Sequence, residues 1–156
     1  MVTFPREQWI ADGIAPDSLP PGTDVPSALD QLFTTTLPDS VPLFATIELS
    51  ADGTDLAVRL IVLGAVADSP GILYVLDPVR SEVLQFAPAV NSVRGVNTTY
   101  RDFVDFLQRI NTELDRCDGD FAKALGDDLR QTLKSIDPQA FEPGNWWPMV
   151  FERLSN

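Results

Sequence analysis

Four apolar segments lie close together between residues 42 and 88, and the short distances between them restrict the fold more than any other feature of the chain. PLFATIEL and LAVRLIVLGAV are dense in branched and aromatic residues, the composition of strands. ADGTD between them carries an Asp-Gly pair, a strong hairpin signal. GILYVLD and SEVLQFAP follow, separated only by PVR, which reads as a second hairpin. Five residues part Val66 from Ile72. A parallel pair needs a crossover of about a dozen residues or more, so these strands must run antiparallel. Leu60 to Leu63 is apolar on both faces, which places that strand at the centre of the sheet.

After Thr99 the period changes from two to that of a helix. Tyr100, Phe103, Val104, Leu107, Ile110 and Leu114 recur at steps of three and four, while Asp102, Asp105, Arg109 and Glu113 take the other face. A helix is expected over 99–116. Gly119 ends it, and Asp120 can cap a second helix over 121–136 carrying Phe121, Leu125, Leu129, Leu133 and Ile136, stopped by Asp137-Pro138. NWWPMVFERL reads as a short final helix opened by Asn145, with Pro148 in its first turn. Adjacent helical residues point about 100° apart, so one of Trp146 and Trp147 is expected under the sheet and the other partly exposed.

Strands followed by helices imply an α+β domain, an antiparallel sheet of about four to six strands flanked by helices. The first 40 residues are proline-rich, and Pro20-Pro21-Gly22 can be neither helix nor central strand. This segment is expected to wrap the same domain, residues 1–156 forming one unit, with short helices at 6–12 and at 26–36. In the second of these Ser27 can cap a turn bearing Leu29, Leu32 and Phe33.

Asn97-Thr98-Thr99 is where a glycosylation site, a catalytic hydroxyl and a helix cap all compete. Thr99 followed three residues later by Asp102, ahead of an apolar run, fits a capping box: the threonine oxygen takes an orphan amide and Asp102 sits near the positive end of the helix dipole. Asn97 can close the incoming turn with its side-chain amide. The Asn-x-Thr acceptor pattern is also matched, but MVTFPREQWIADG lacks a basic stretch followed by an apolar core, so no secretory leader is expected. A nucleophilic threonine needs a neighbouring base, and the chain has no histidine to supply one. The cap is the better reading.

The same lack of histidine removes the usual Ser-His-Asp and Cys-His mechanisms, and the one cysteine, Cys117, makes neither a zinc site nor a disulfide framework. Neither a P-loop nor a Gly-x-Gly-x-x-Gly motif is present. Asp115, Asp118 and Asp120, and likewise Asp52 and Asp55, fall short of a complete calcium loop and read as turn chemistry. No catalytic residue, metal or cofactor is expected. No apolar run approaches the roughly 20 residues of a membrane span, and a cytoplasmic location is expected.

Charge is the strongest compositional signal. The chain carries −12, and residues 1–58 hold nine acids against one base, a net of −8, whereas the remaining 98 residues carry −4. Such a field repels phosphate backbones and attracts a basic partner. Asp39, Glu48, Asp52 and Asp55 are the candidate contact residues, on loops and on the expected ADGTD turn.

The order of these features resembles the SUKH superfamily of bacterial immunity proteins, most closely its fourth family. WIADGIAP is similar to that family's aromatic-Leu-x-x-x-Gly-Leu-Pro opening, with Ala15 before the proline as a departure. An apolar strand ending at Gly64 precedes ILYVLDP and EVLQFAP, and GVNTTYRDFVDFL is similar to a Val-Asn-Ser-Ser element opening a helix with Phe-Val-x-Phe-Leu. IDPQAF and WWPMVFERL resemble the closing Asp-Pro-Ala element and the tryptophan-bearing last helix. The resemblance is best over residues 56 to 154. It implies a non-enzymatic protein that binds and neutralises a toxin domain of a polymorphic toxin system, commonly a nuclease or a nucleic-acid deaminase. The acidic charge and the lack of an apolar span add the expectation of no direct nucleic-acid or membrane binding. The alternatives are a scaffold or regulator of the same fold with a cellular partner, and a carboxylate-dependent hydrolase.

Overall fold

The computed structural model describes residues 1–38, 41–50, 57–87 and 92–154. Its centre is a seven-stranded sheet in which every pairing among the described residues is antiparallel. Residues 1–38 contribute β1 (Val2–Thr3), α1 (Arg6–Ala11), β2 (Asp24–Val25), β3 (Ala28–Leu29) and β4 (Phe33–Thr34). The meander follows as β5 (Thr46–Ser50), β6 (Ala57–Val66), β7 (Ser69–Leu76), β8 (Val83–Ala87) and β9 (Ser92–Asn97). Then come α2 (Tyr100–Arg116), α3 (Phe121–Ala124), α4 (Asp127–Ile136) and α5 (Trp146–Leu154), with 3-10 turns at Pro16–Ser18 and Pro138–Phe141. The sheet order is β3-β4-β6-β7-β8-β9, and β5 lies alongside β6. The ten-residue β6 is therefore central, as its two-sided apolar composition requires.

Three local expectations are corrected. The sheet has seven strands rather than four to six, because β9 and the short β3 and β4 join the meander. Residues 26–36 form no helix: Ala28 pairs with Thr34 and Leu29 with Phe33 in a tight hairpin, and Gln31 sits at φ 62. Ser27 caps nothing there, since its carbonyl instead accepts from Thr35 N and Thr35 Oγ1 at 2.9 and 2.7 Å. The helix expected over 121–136 is two helices. Leu125 leaves helical geometry and Gly126, with ψ 179, becomes the N-cap residue of α4.

The main core lies between the helices and one face of the sheet. The ring of Tyr74 on β7 lies 5.1 Å, tilted, from that of Phe103 on α2 and 5.6 Å, edge to face, from that of Phe33 on β4. The proline-rich segment closes this core from the side: Phe4 and Trp9 lie 5.4 and 5.8 Å from Tyr100 at the start of α2. The opposite sheet face carries a smaller cluster, Leu60, Ala65, Leu73, Val75 and Phe86, against which Leu37 and Val41 pack. Gly64 lets β4 reach β6, because a Cβ there would stand 2.4 Å from the Phe33 ring and 2.7 Å from the Thr34 carbonyl.

Candidate partner-binding surface

The opening of α2 is built as a chain of polar contacts. Thr99 Oγ1 accepts from Asp102 N at 3.0 Å, with Thr99 in the extended conformation of an N-cap residue. The carboxyl of Asp102 is held above its ordinary range, first by partial burial and then by the negative charge of Asp137. Asn97 does not close the local turn. Its Nδ2 donates to Asp137 Oδ2 at 2.9 Å, and its Oδ1 accepts from Trp147 Nε1 at 2.8 Å. Asp137 also accepts from Thr98 N at 2.9 Å and from Thr98 Oγ1 at 3.1 Å. Asn97 and Asp137 are both buried, so this is an internal latch joining the end of β9, the end of α4 and α5. It offers a partner nothing.

Both tryptophans of α5 are buried, Trp147 at 0% and Trp146 at 9% exposure, which corrects the expectation of one exposed ring. They diverge as helix geometry demands, but the helix is enclosed on two sides. Trp147 packs 5.4 Å from Phe106 on α2, and Trp146 6.5 Å from Tyr74 on the sheet. Trp146 Nε1 and Gln85 Nε2 are buried close to Tyr74 Oη without a hydrogen bond of ordinary length, while the Tyr74 hydroxyl donates to Leu32 O at 2.7 Å. Burial pushes the phenols of Tyr74 and Tyr100 far above their usual value, so both act as neutral core groups.

Of the four candidate contact residues, Asp39, Asp52 and Asp55 lie outside the described residues, and only Glu48 has a place. It is exposed on β5, in register with exposed Arg59 on β6, and no ion pair joins them. Glu7, Asp12, Asp17, Asp24 and Asp30 are exposed as well, so the described acids of the first half of the chain face solvent. Arg6, the one base there, is half-buried and donates Nε to Pro20 O at 3.4 Å.

Two grooves among the described residues are large enough to take a partner's side chains. One, of about 660 Å³, runs between α2 and the α3–α4 segment; two of its arginines are already engaged, Arg116 with Glu113 at 2.8 Å and Arg109 with Asp105 at 3.1 Å, and its lining is mostly polar and charged. The other, of about 580 Å³, lies between the end of α1, the β5–β6 pair and the β7–β8 turn. Trp9, Ile14 and Ile61 line its depth, and Arg59, Arg80 and Val79 stand at its sides. From the sequence PVR signalled only a turn, so the sides of this groove were not foreseen.

Among the described residues no three His, Cys, Asp or Glu side chains cluster as metal ligands, and no helix is long and apolar enough to cross a membrane. Asp120 instead caps α3, accepting from Ala122 N and Lys123 N. A family model described as SUKH-4 immunity protein matches residues 15–153. No curated protein and no solved structure matches the chain.

Proposed function

Because the chain belongs to the SUKH-4 immunity protein family, we propose that it is a non-enzymatic, cytoplasmic protein that neutralises the cognate toxin of a polymorphic toxin system by binding it. The toxin acts on nucleic acid, as a nuclease or a deaminase, and meets this chain through a basic surface. The family match carries the immunity reading, and the charge distribution supports the choice of partner. An enzyme that holds a phosphate backbone needs a cationic face. A chain of net −12 whose described acids in the first half are exposed is the electrostatic complement of such a face and repels nucleic acid itself.

Co-expression tests this directly. The product of the neighbouring gene, expressed alone, is expected to kill or arrest the host, and this protein is expected to restore growth and to co-purify with it. Undiminished killing, with no complex on a sizing column, overturns the proposal.

A further inference from the structure

The groove between α1 and the β7–β8 turn has three properties that belong together. Its depth is apolar, with Trp9 and Ile61 nearly fully buried beneath it. Its rim carries Val79, 90% exposed, on a turn tied together through Asp77. Asp77 Oδ1 accepts from Val79 N at 2.9 Å and Arg80 N at 3.3 Å, Ser81 N donates to Asp77 O at 2.7 Å, and Asp77 N donates to Glu82 O at 2.9 Å. Finally, Arg59 and Arg80 are exposed at its side, and among the described residues neither guanidinium has an ion pair or a side-chain hydrogen bond. Two carboxylates also line the groove. Asp77 is engaged by its own turn, and Asp12 stands on the α1 side. Formal charges along the groove balance, two arginines against two carboxylates, with Glu48 exposed opposite Arg59. What the sheet-and-turn side offers a partner is two guanidiniums that no side chain among the described residues holds, in a chain that is otherwise strongly acidic.

We propose that this groove anchors a loop of the cognate toxin that presents an apolar side chain next to a carboxylate. The proposal rests on the toxin-binding reading and adds a place and a chemistry to it. The apolar side chain fills the space over Trp9 and Ile61 and against Val79, displacing water from a preformed hollow. The carboxylate takes a bidentate pair with Arg80 or Arg59. Charge complementarity selects this occupant. A basic toxin is drawn in by the overall field, but any carboxylate it carries is repelled by most of this surface and finds its counter-charge here. That arrangement sets register and discriminates between toxins, whereas the diffuse acidity only accelerates encounter. Tryptophan and arginine are also the side chains in which binding hot spots are richest.

The test titrates the purified product of the adjacent toxin gene into the wild-type protein and into Val79→Asp, Arg80→Glu, Arg59→Glu and, as a control on α4, Arg130→Glu. Val79, Arg80 and Arg59 are exposed, so melting temperatures should match wild type. Val79→Asp and Arg80→Glu are each expected to weaken binding by about tenfold or more, chiefly through faster dissociation, and Arg130→Glu by less than about twofold. Recovery of Arg80→Glu binding by an acid-to-arginine exchange in the toxin identifies the partner carboxylate and supports the proposal. Groove variants that bind as tightly as wild type overturn the groove while leaving immunity intact. A wild-type protein that neither binds nor rescues brings down both.

Discussion

Asp137 shows how a single side chain organises the protein. It is 2% exposed and accepts hydrogen bonds from Asn97 Nδ2, Thr98 N and Thr98 Oγ1, with no cation beside it among the described residues. Asp137→Ala strands those donors in the interior and is expected to lower stability by about 2–3 kcal/mol in a urea melt. Thr99→Ala should cost about 1 kcal/mol by the same measurement, with Thr99→Ser restoring most of it. Asp102 adds a pH dependence of defined sign. Its folded-state carboxyl titrates above the ordinary 3.8, so just above that value the folded protein holds a proton that the unfolded chain has released. Stability contributed by the protonated form is therefore lost as pH rises through the window. Melting temperatures followed from about pH 4 to 6 should fall less steeply in Asp102→Asn than in wild type. The Thr99–Asp102 cap was legible because its parts lie three residues apart. The latch was not, since Asn97 finds partners 40 and 50 positions away, and no local pattern encodes that distance.

At the level of elements, the failures of sequence reasoning share a cause. Leu29, Leu32 and Phe33 have helical spacing, but a step of four also joins cross-strand partners in a tight hairpin, and Leu29 pairs with Phe33 in that way. Phe121, Leu125, Leu129 and Leu133 keep a perfect step of four straight through the break at Gly126, because both short helices turn their apolar sides to the same core. β9 was missed for the opposite reason: SVRGVN has little apolar alternation, and it is a strand by virtue of pairing with β8. By contrast the antiparallel order of the meander and α2 were legible, since short connections and a long amphipathic stripe each admit one reading, although the ADGTD turn itself lies outside the described residues. Phe106 lies off that stripe and is still fully buried, because α2 is covered by the C-terminal aromatics as well as by the sheet. The β4–β6 approach gives the sharpest element-level prediction. Gly64→Ala drives a methyl into the Phe33 ring and the Thr34 carbonyl, and should cost about 1–3 kcal/mol in thermal or denaturant unfolding.

For the whole molecule the governing quantity is the uneven charge. If the acids of the first half steer a basic toxin, association should slow steeply with added salt while dissociation changes less. Reversing Asp39, Glu48, Asp52 and Asp55 together should cut the association rate by about tenfold or more, and reversing Asp115, Asp127, Asp128 and Glu142 should cut it far less. Stopped-flow kinetics on both sets separates a directed field from general acidity. The latch has a further consequence, for the order of events during synthesis. The indole that satisfies Asn97 and the rings that cover the sheet beside it come from α5, which is made after every other element described. A nascent chain that has completed β9 but not Trp147 holds an unmet amide oxygen and an open apolar face. It must wait for α5 before it can close. A ribosome-arrested chain ending before Trp146 should therefore remain protease-sensitive, with protection appearing only once α5 has emerged.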